Sequence, residues 1–224
     1  MTTALVPRRS FLTRVAAVAA ALGVTPALSG FTSVSPAESP QLHPNDLDAW
    51  LASMRGPQKV LYDCTSAAGA SDGILFARNF LKFSHDKLGT KDSEMSVIVS
   101  FRHFSTPYAY NDAMWAKYPQ LADMLKVTDP KTMKPAMRNV PSMDELEGFP
   151  GASLPALLSH GVKFAACGAA TEFIAGVIAG KTGDAKAIEQ DFIANLIPGA
   201  RVVPAGVVVV QRAQKAGFAY TYAG

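Results

Sequence analysis

Cysteine and histidine are both scarce in this chain. Its 224 residues hold two thiols, Cys64 and Cys167, and four imidazoles. His43, His85 and His160 stand at no ligand spacing, so the sequence carries no cysteine or histidine cluster of the zinc-binding kind. A Ser-His-Asp signature is also missing. Gly180-Lys181-Thr182 imitates the end of a phosphate-binding loop, but Ala175 stands where that loop needs its first glycine, and a helix precedes it where a strand is required. Gly69 and Gly73 make no dinucleotide fingerprint. There is no internal repeat, and beyond the N-terminal segment no apolar run is long enough to span a bilayer. No cofactor is expected.

Acidic residues are absent before Glu38. In that acid-free stretch Arg8-Arg9 precedes Ser10-Phe11-Leu12, an apolar core runs from Val15 to Val24, and Ala27-Leu28-Ser29 offers a small-residue cleavage site. This is the layout of a bacterial export signal of the twin-arginine type. The sequence therefore predicts handling by the twin-arginine export machinery, a periplasmic location and removal of residues 1–29. Three of the 21 basic residues and none of the 18 acidic ones lie in that segment, so the remainder balances at 18 against 18. A balanced surface has no electrostatic footprint for nucleic acid. About 195 residues remain after cleavage, enough for one domain with a substantial core.

Residues 30–57 read as a Ser/Pro/Thr-rich flexible lead and a short helix through Leu47, Trp50, Leu51 and Met54. From there strands and helices alternate. Lys59–Asp63 is the first strand, with Cys64 at its end, and Thr65–Gly73 reads as a loop before a helix over Ile74–Leu88. Met95–Phe101 is the second strand. Residues 104–150 form a long insertion with two short helices, of the kind that makes a lid, a binding loop or an oligomer contact. Val162–Ala166 is the third strand, followed by helices over Ala169–Ala179 and Ala187–Leu196. Arg201–Val203 is the fourth. Val207–Val210 favours a strand by local preference, yet Gly217 closes the stretch like a helix stop, and it reads as helix. Phe218–Tyr222 is the fifth strand. The fold class is α/β: a single domain over residues 58–224, with a five-stranded parallel sheet and helices on both faces.

Cys167 ends the third strand where a helix begins. Reactive groups and ligands collect at such strand ends, and the positive end of a helix favours thiolate. A lone strand cysteine is also commonly a small buried hydrophobe. His103 ends the second strand on the same sheet edge and could act as a general base or as a metal or haem ligand. Arg102 beside it offers a group for an anion, or a partner for an ion pair. Tyr108, Tyr110, Met114, Trp115 and Tyr118 form an aromatic-rich patch, better read as core or subunit contact than as a cofactor box.

Three segments resemble the DsrE/DsrF-like sulfur-relay family: Gly161-Val162-Lys163-Phe164-Ala165-Ala166-Cys167-Gly168, Asn195 through Val207, and Gln211 through Tyr220. Val99 through His103 and Asn111 through Tyr118 are similar to an exported branch of that family without an assigned reaction. The resemblance covers roughly Lys59 to Tyr222. It implies a Rossmann-like three-layer domain that assembles into trimers or hexamers, with Cys167 passing persulfide sulfur between donor and acceptor proteins. It also implies a core strand order of 2-1-3, which makes the first and third strands neighbours and allows a Cys64–Cys167 pair. Cys167, His103, Arg102 and Cys64 would then line one pocket. The alternatives are a non-catalytic binding protein of the same fold, or a haem- or metal-binding protein using His103. The export signal and the long insertion depart from the cytoplasmic sulfur carriers.

Overall fold

The computed structural model describes residues 44–140, 146 and 148–224. The segment read as an export signal, residues 1–29, and most of the expected lead lie outside the described residues. The compact unit that holds the rest spans Gln41–Gly224.

Five strands form one parallel sheet: β1 (Gln58–Cys64), β2 (Met95–Phe101), β3 (Lys163–Cys167), β4 (Ala200–Val203) and β5 (Ala219–Ala223). Their order is β4-β3-β2-β1-β5. All seven residues of β2 are buried, as an apolar run sandwiched between two helical layers must be. Alternate residues separate the layers. Val60, Tyr62, Cys64, Val97, Val99, Phe101, Phe164 and Ala166 face one hydrophobic cluster. Leu61, Ile98, Ala165 and Val203 face the other. The first cluster receives α2 (Ala67–Leu88) through Ile74, Ala77 and Leu81, and α6 (Gly168–Ala179) and α7 (Ala185–Ala194) through Ile174, Ala175 and Phe192. The second receives α1 (Pro44–Ser53) through Leu47 and Leu51, and α8 (Gly206–Lys215) through Val209 and Ala213. The three-layer α/β architecture expected from the sequence is therefore the observed one, including helix rather than strand at Val207–Val210.

Three expectations are corrected. The implied strand order is wrong: β2 lies between β1 and β3, pairing Cys64 with Phe101 and Phe101 with Ala166. The strand buried along its whole length takes the centre, where both edges are hydrogen-bonded. Helix α2 begins at Ala67 rather than Ile74. Ser66 caps it by accepting the Gly69 N–H at 2.9 Å, and the small residues that suggested a loop permit close packing. A Cβ at Gly73 would stand 2.2 Å from Cys64 Sγ.

The third correction concerns the section from 104 to 150. Its described part is a wall of the core, not a lid. A 3-10 turn over His103–Ala109 leads to α3 (Asp112–Lys117) and α4 (Gln120–Leu125), and a two-residue antiparallel ladder joins Thr128–Asp129 to Lys134–Pro135. Tyr108, Tyr110, Trp115 and Leu121 are fully buried in the first cluster. Trp115 Nε1 donates to the Pro107 carbonyl at 3.1 Å, and buried Asn139 donates through Nδ2 to the carbonyls of Tyr108 and Tyr110. A further described helix, α5 (Leu154–Ser159), caps itself with Ser153 and leads into β3. Among the described residues no helix is long and apolar enough to cross a membrane.

Candidate functional site

Parallel strands aim all their carboxyl ends at one rim, so the residues closing β1, β2 and β3 meet there. Period-2 alternation then divides them. Asp63, Arg102 and Cys167 continue the rows of Leu61, Ile98 and Ala165, toward α8, whereas Cys64 continues the row of Tyr62, toward the opposite cluster.

Cys167 belongs to neither hydrocarbon cluster. It is 6% exposed, and its Sγ accepts the Gly206 N–H at 3.2 Å. Gly206 is the first residue of α8, so the sulfur meets the positive end of that helix. Cys167 is also the residue preceding α6, and its carbonyl accepts the Thr171 hydroxyl at 3.0 Å, while Thr171 accepts from Tyr110 at 2.9 Å. The aromatic patch thus fixes the backbone of the cysteine from beneath.

Arg102 reaches across the rim. Its carbon chain lies against Gly206, where a Cβ would approach Arg102 Cβ to 2.4 Å and Cδ to 2.6 Å. Only glycine fits there, and the same missing side chain lets the Gly206 amide approach the sulfur. The guanidinium grips Asp63 in a fork, Nε to Oδ1 at 2.7 Å and a terminal nitrogen to Oδ2 at 2.9 Å. Asp63 is 1% exposed and also accepts the Tyr220 hydroxyl at 2.9 Å. Burial, and then the carboxylate, hold that phenol above its ordinary range. The chemical result is a continuous row: thiol, helix amide, arginine, carboxylate, phenol. Ser100 lies laterally between Asp63 and Ala165, with its buried hydroxyl unpartnered.

Cys64 stands apart from this row. It is fully buried in the first cluster, and burial pushes its thiol well above the ordinary cysteine range. Both cysteines are free. With a strand between them their backbones are separated by about two strand spacings, roughly 10 Å, beyond the roughly 4.4–6.8 Å that a disulfide spans. They also face opposite sides of the sheet. The pairing allowed by the implied strand order is therefore overturned.

His103 follows Arg102 in a left-handed conformation, φ 58°, with its ring against Phe104 at 4.2 Å between centroids. Such backbone is uncommon outside glycine, asparagine, aspartate and histidine. Burial first, and the Arg102 charge second, lower the affinity of its imidazole for a proton. A group that binds protons less well folded than unfolded makes the unfolded state the larger proton acceptor. Stability should therefore hold above the unfolded histidine range, near pH 6.5, and fall as the pH drops through the folded value. Urea unfolding at stepped pH should show less of this acid loss in His103→Gln than in the wild type. An unchanged difference profile would remove His103 as its source.

Asp63, Tyr220 and Gly206 are the participants that sequence reading missed. A carboxylate inside the apolar run Val60-Leu61-Tyr62-Asp63-Cys64 was the available signal, since an acid buried in a strand needs a cation. Nothing local marked Arg102 as that cation. Set against family models, curated proteins and solved structures, the chain matches none of them.

Proposed function

We propose that this chain is an exported, oligomeric α/β protein of DsrE/DsrF-like type that carries or transfers sulfur on Cys167. One observation supports the reading above others: the Gly206 N–H donates to Cys167 Sγ at the first turn of α8. An amide hydrogen bond at a helix start is the kind of surrounding in which reactive cysteines sit. Cys167 thus stands outside both hydrocarbon clusters and at the first residue of a helix, whereas Cys64 in the same sheet lies within the first cluster.

The chemistry is a balanced exchange. The Cys167 thiolate attacks the outer sulfur of a persulfide on a donor protein. The new S–S bond forms at Cys167, the donor's S–S bond breaks, and the donor leaves as a thiolate, with no net oxidant or reductant. Arg102 and Asp63 act as positioning residues that hold the rim rigid around the sulfur. Assembly into trimers or hexamers, export by the twin-arginine route and a periplasmic location complete the proposal.

The test uses the reduced full chain under native conditions, with a thiol alkylating reagent and, separately, a low-molecular-weight persulfide. Cys167 should alkylate and should gain one sulfur atom by mass. Cys64 should do neither until the protein is denatured, and Cys167→Ser should abolish both signals. If Cys167 reacts no faster than Cys64 and gains no sulfur, the proposal fails.

A further inference from the structure

The opposite edge of the sheet holds a second cluster, one invisible to spacing. His85 lies in the last turn of α2, Asp92 begins the 3-10 turn that leads into β2, and His160 follows α5 at the approach to β3. Residues 75 positions apart in the chain meet because α2 runs back along the sheet and ends where β2 and β3 begin. His85 Nε2 stands 2.9 Å from Asp92 Oδ1, and His160 Nδ1 stands 3.1 Å from Asp92 Oδ2. The three ligand atoms all lie within 4.8 Å of one another, and the imidazole centroids are 5.7 Å apart.

We propose that His85, Asp92 and His160 form a surface site for a divalent late first-row metal ion, with zinc as its natural occupant and a fourth coordination position open. Donor chemistry carries the class of ion. Two imidazoles and one carboxylate suit zinc and its neighbours, whereas magnesium and calcium prefer oxygen. Geometry carries the fit. Tetrahedral zinc with ligands at about 2.0–2.1 Å sets those ligands about 3.3 Å apart, and the two nitrogen-to-oxygen separations are already close to that. Only the two imidazoles need draw together. The two cations that line the adjoining cavity are engaged elsewhere: Lys82 pairs with Asp86, and Arg78 donates to the Pro150 carbonyl and to Asn79. A cavity of about 230 Å³ beside the two imidazoles leaves room for a water or an exogenous ligand at the fourth position. Because the ligands come from three separate segments, the ion would tie the end of α2 to the starts of β2 and β3.

The experiment is titration of the chelator-treated, reduced full chain with zinc alone, followed by calorimetry, and with cobalt alone, followed by visible absorption. The expected result is one saturable zinc site per chain and a tetrahedral-type cobalt spectrum. Loss of an outer-sphere partner weakens metal sites about 10–100-fold, so removing a ligand in His160→Ala or Asp92→Asn should weaken zinc by about 100-fold or more. At free zinc about a hundredfold above Kd, the melting temperature should rise by roughly 5–10 °C, and that rise should vanish in both variants. Cys167→Ala should bind zinc like the wild type, which separates this site from the sulfur rim. Absence of saturable binding, undiminished binding in His160→Ala, or loss of binding in Cys167→Ala would each overturn the proposal.

Discussion

Arg102→Ala should lower stability by about 2–3 kcal/mol, a fall in melting temperature of roughly 5–10 °C. The substitution removes both arms of the fork on Asp63 and leaves that carboxylate with the Tyr220 hydroxyl as its remaining hydrogen-bond donor. Breaking a buried pair by deleting one partner typically costs about 3–5 kcal/mol, because the surviving charge stays buried. Here the expected value falls at or below the lower end. The Arg102 side chain is 25% exposed, so water entering its place resolvates part of Asp63. The double variant Asp63→Asn/Arg102→Ala should recover much of the loss, since a neutral amide needs no cation. Urea unfolding of the two single variants and the double one closes the cycle. A coupling below about 0.5 kcal/mol would mean that the fork is a surface pair of little consequence, and the rim would lose its claim to rigidity. The same variant bears on the sulfur chemistry. Arg102 lies over Gly206, and Gly206 donates to Cys167, so alkylation of Cys167 should change in Arg102→Ala even though Arg102 carries no reacting atom.

Trp115→Ala should be more damaging still, with a loss of about 3–5 kcal/mol. Trp115 is fully buried, packs against Tyr108 at 5.6 Å between ring centroids, and donates its indole N–H to Pro107. Truncation removes the largest side chain from the first cluster and leaves the Pro107 carbonyl with the Tyr110 N–H as its remaining donor. The size of the effect discriminates between two roles for the section from 104 to 150. A lid closes over a core already complete, and a lid residue contributes little to global unfolding. A wall residue contributes in full. Chemical denaturation of the purified variant decides it: a loss under about 1 kcal/mol would return the section to the role of a detachable cover.

Local pattern made the elements legible. Apolar runs bounded by turn residues marked all five strands. The glycine at 217 and the basic last turn outweighed four valines, and Val207–Val210 is helix because one side of it, at Val209, packs on the sheet while Val207 faces solvent. The misreadings arose where meaning depends on a distant neighbour. Gly73 looked like loop because its need for smallness comes from Cys64, across the space between α2 and β1. The aromatic patch was legible as core or subunit contact, but not which core it joins, because its partners on α6 and α7 are more than 50 residues away, as with Tyr110 and Thr171.

The amino-acid order by itself determined an α/β chain of five parallel strands, and a cysteine at the junction of strand and helix. Those follow from periodicity and short-range capping, which need only nearby residues. The strand order, by contrast, was decided by tertiary structure alone. It separated the two thiols, set Arg102 on Asp63 and turned Cys167 toward the first amide of α8. It also gathered two histidines and an aspartate at the far edge. A pairing order is a choice among long-range contacts whose competing energies are summed over the whole sheet, so no local window contains it.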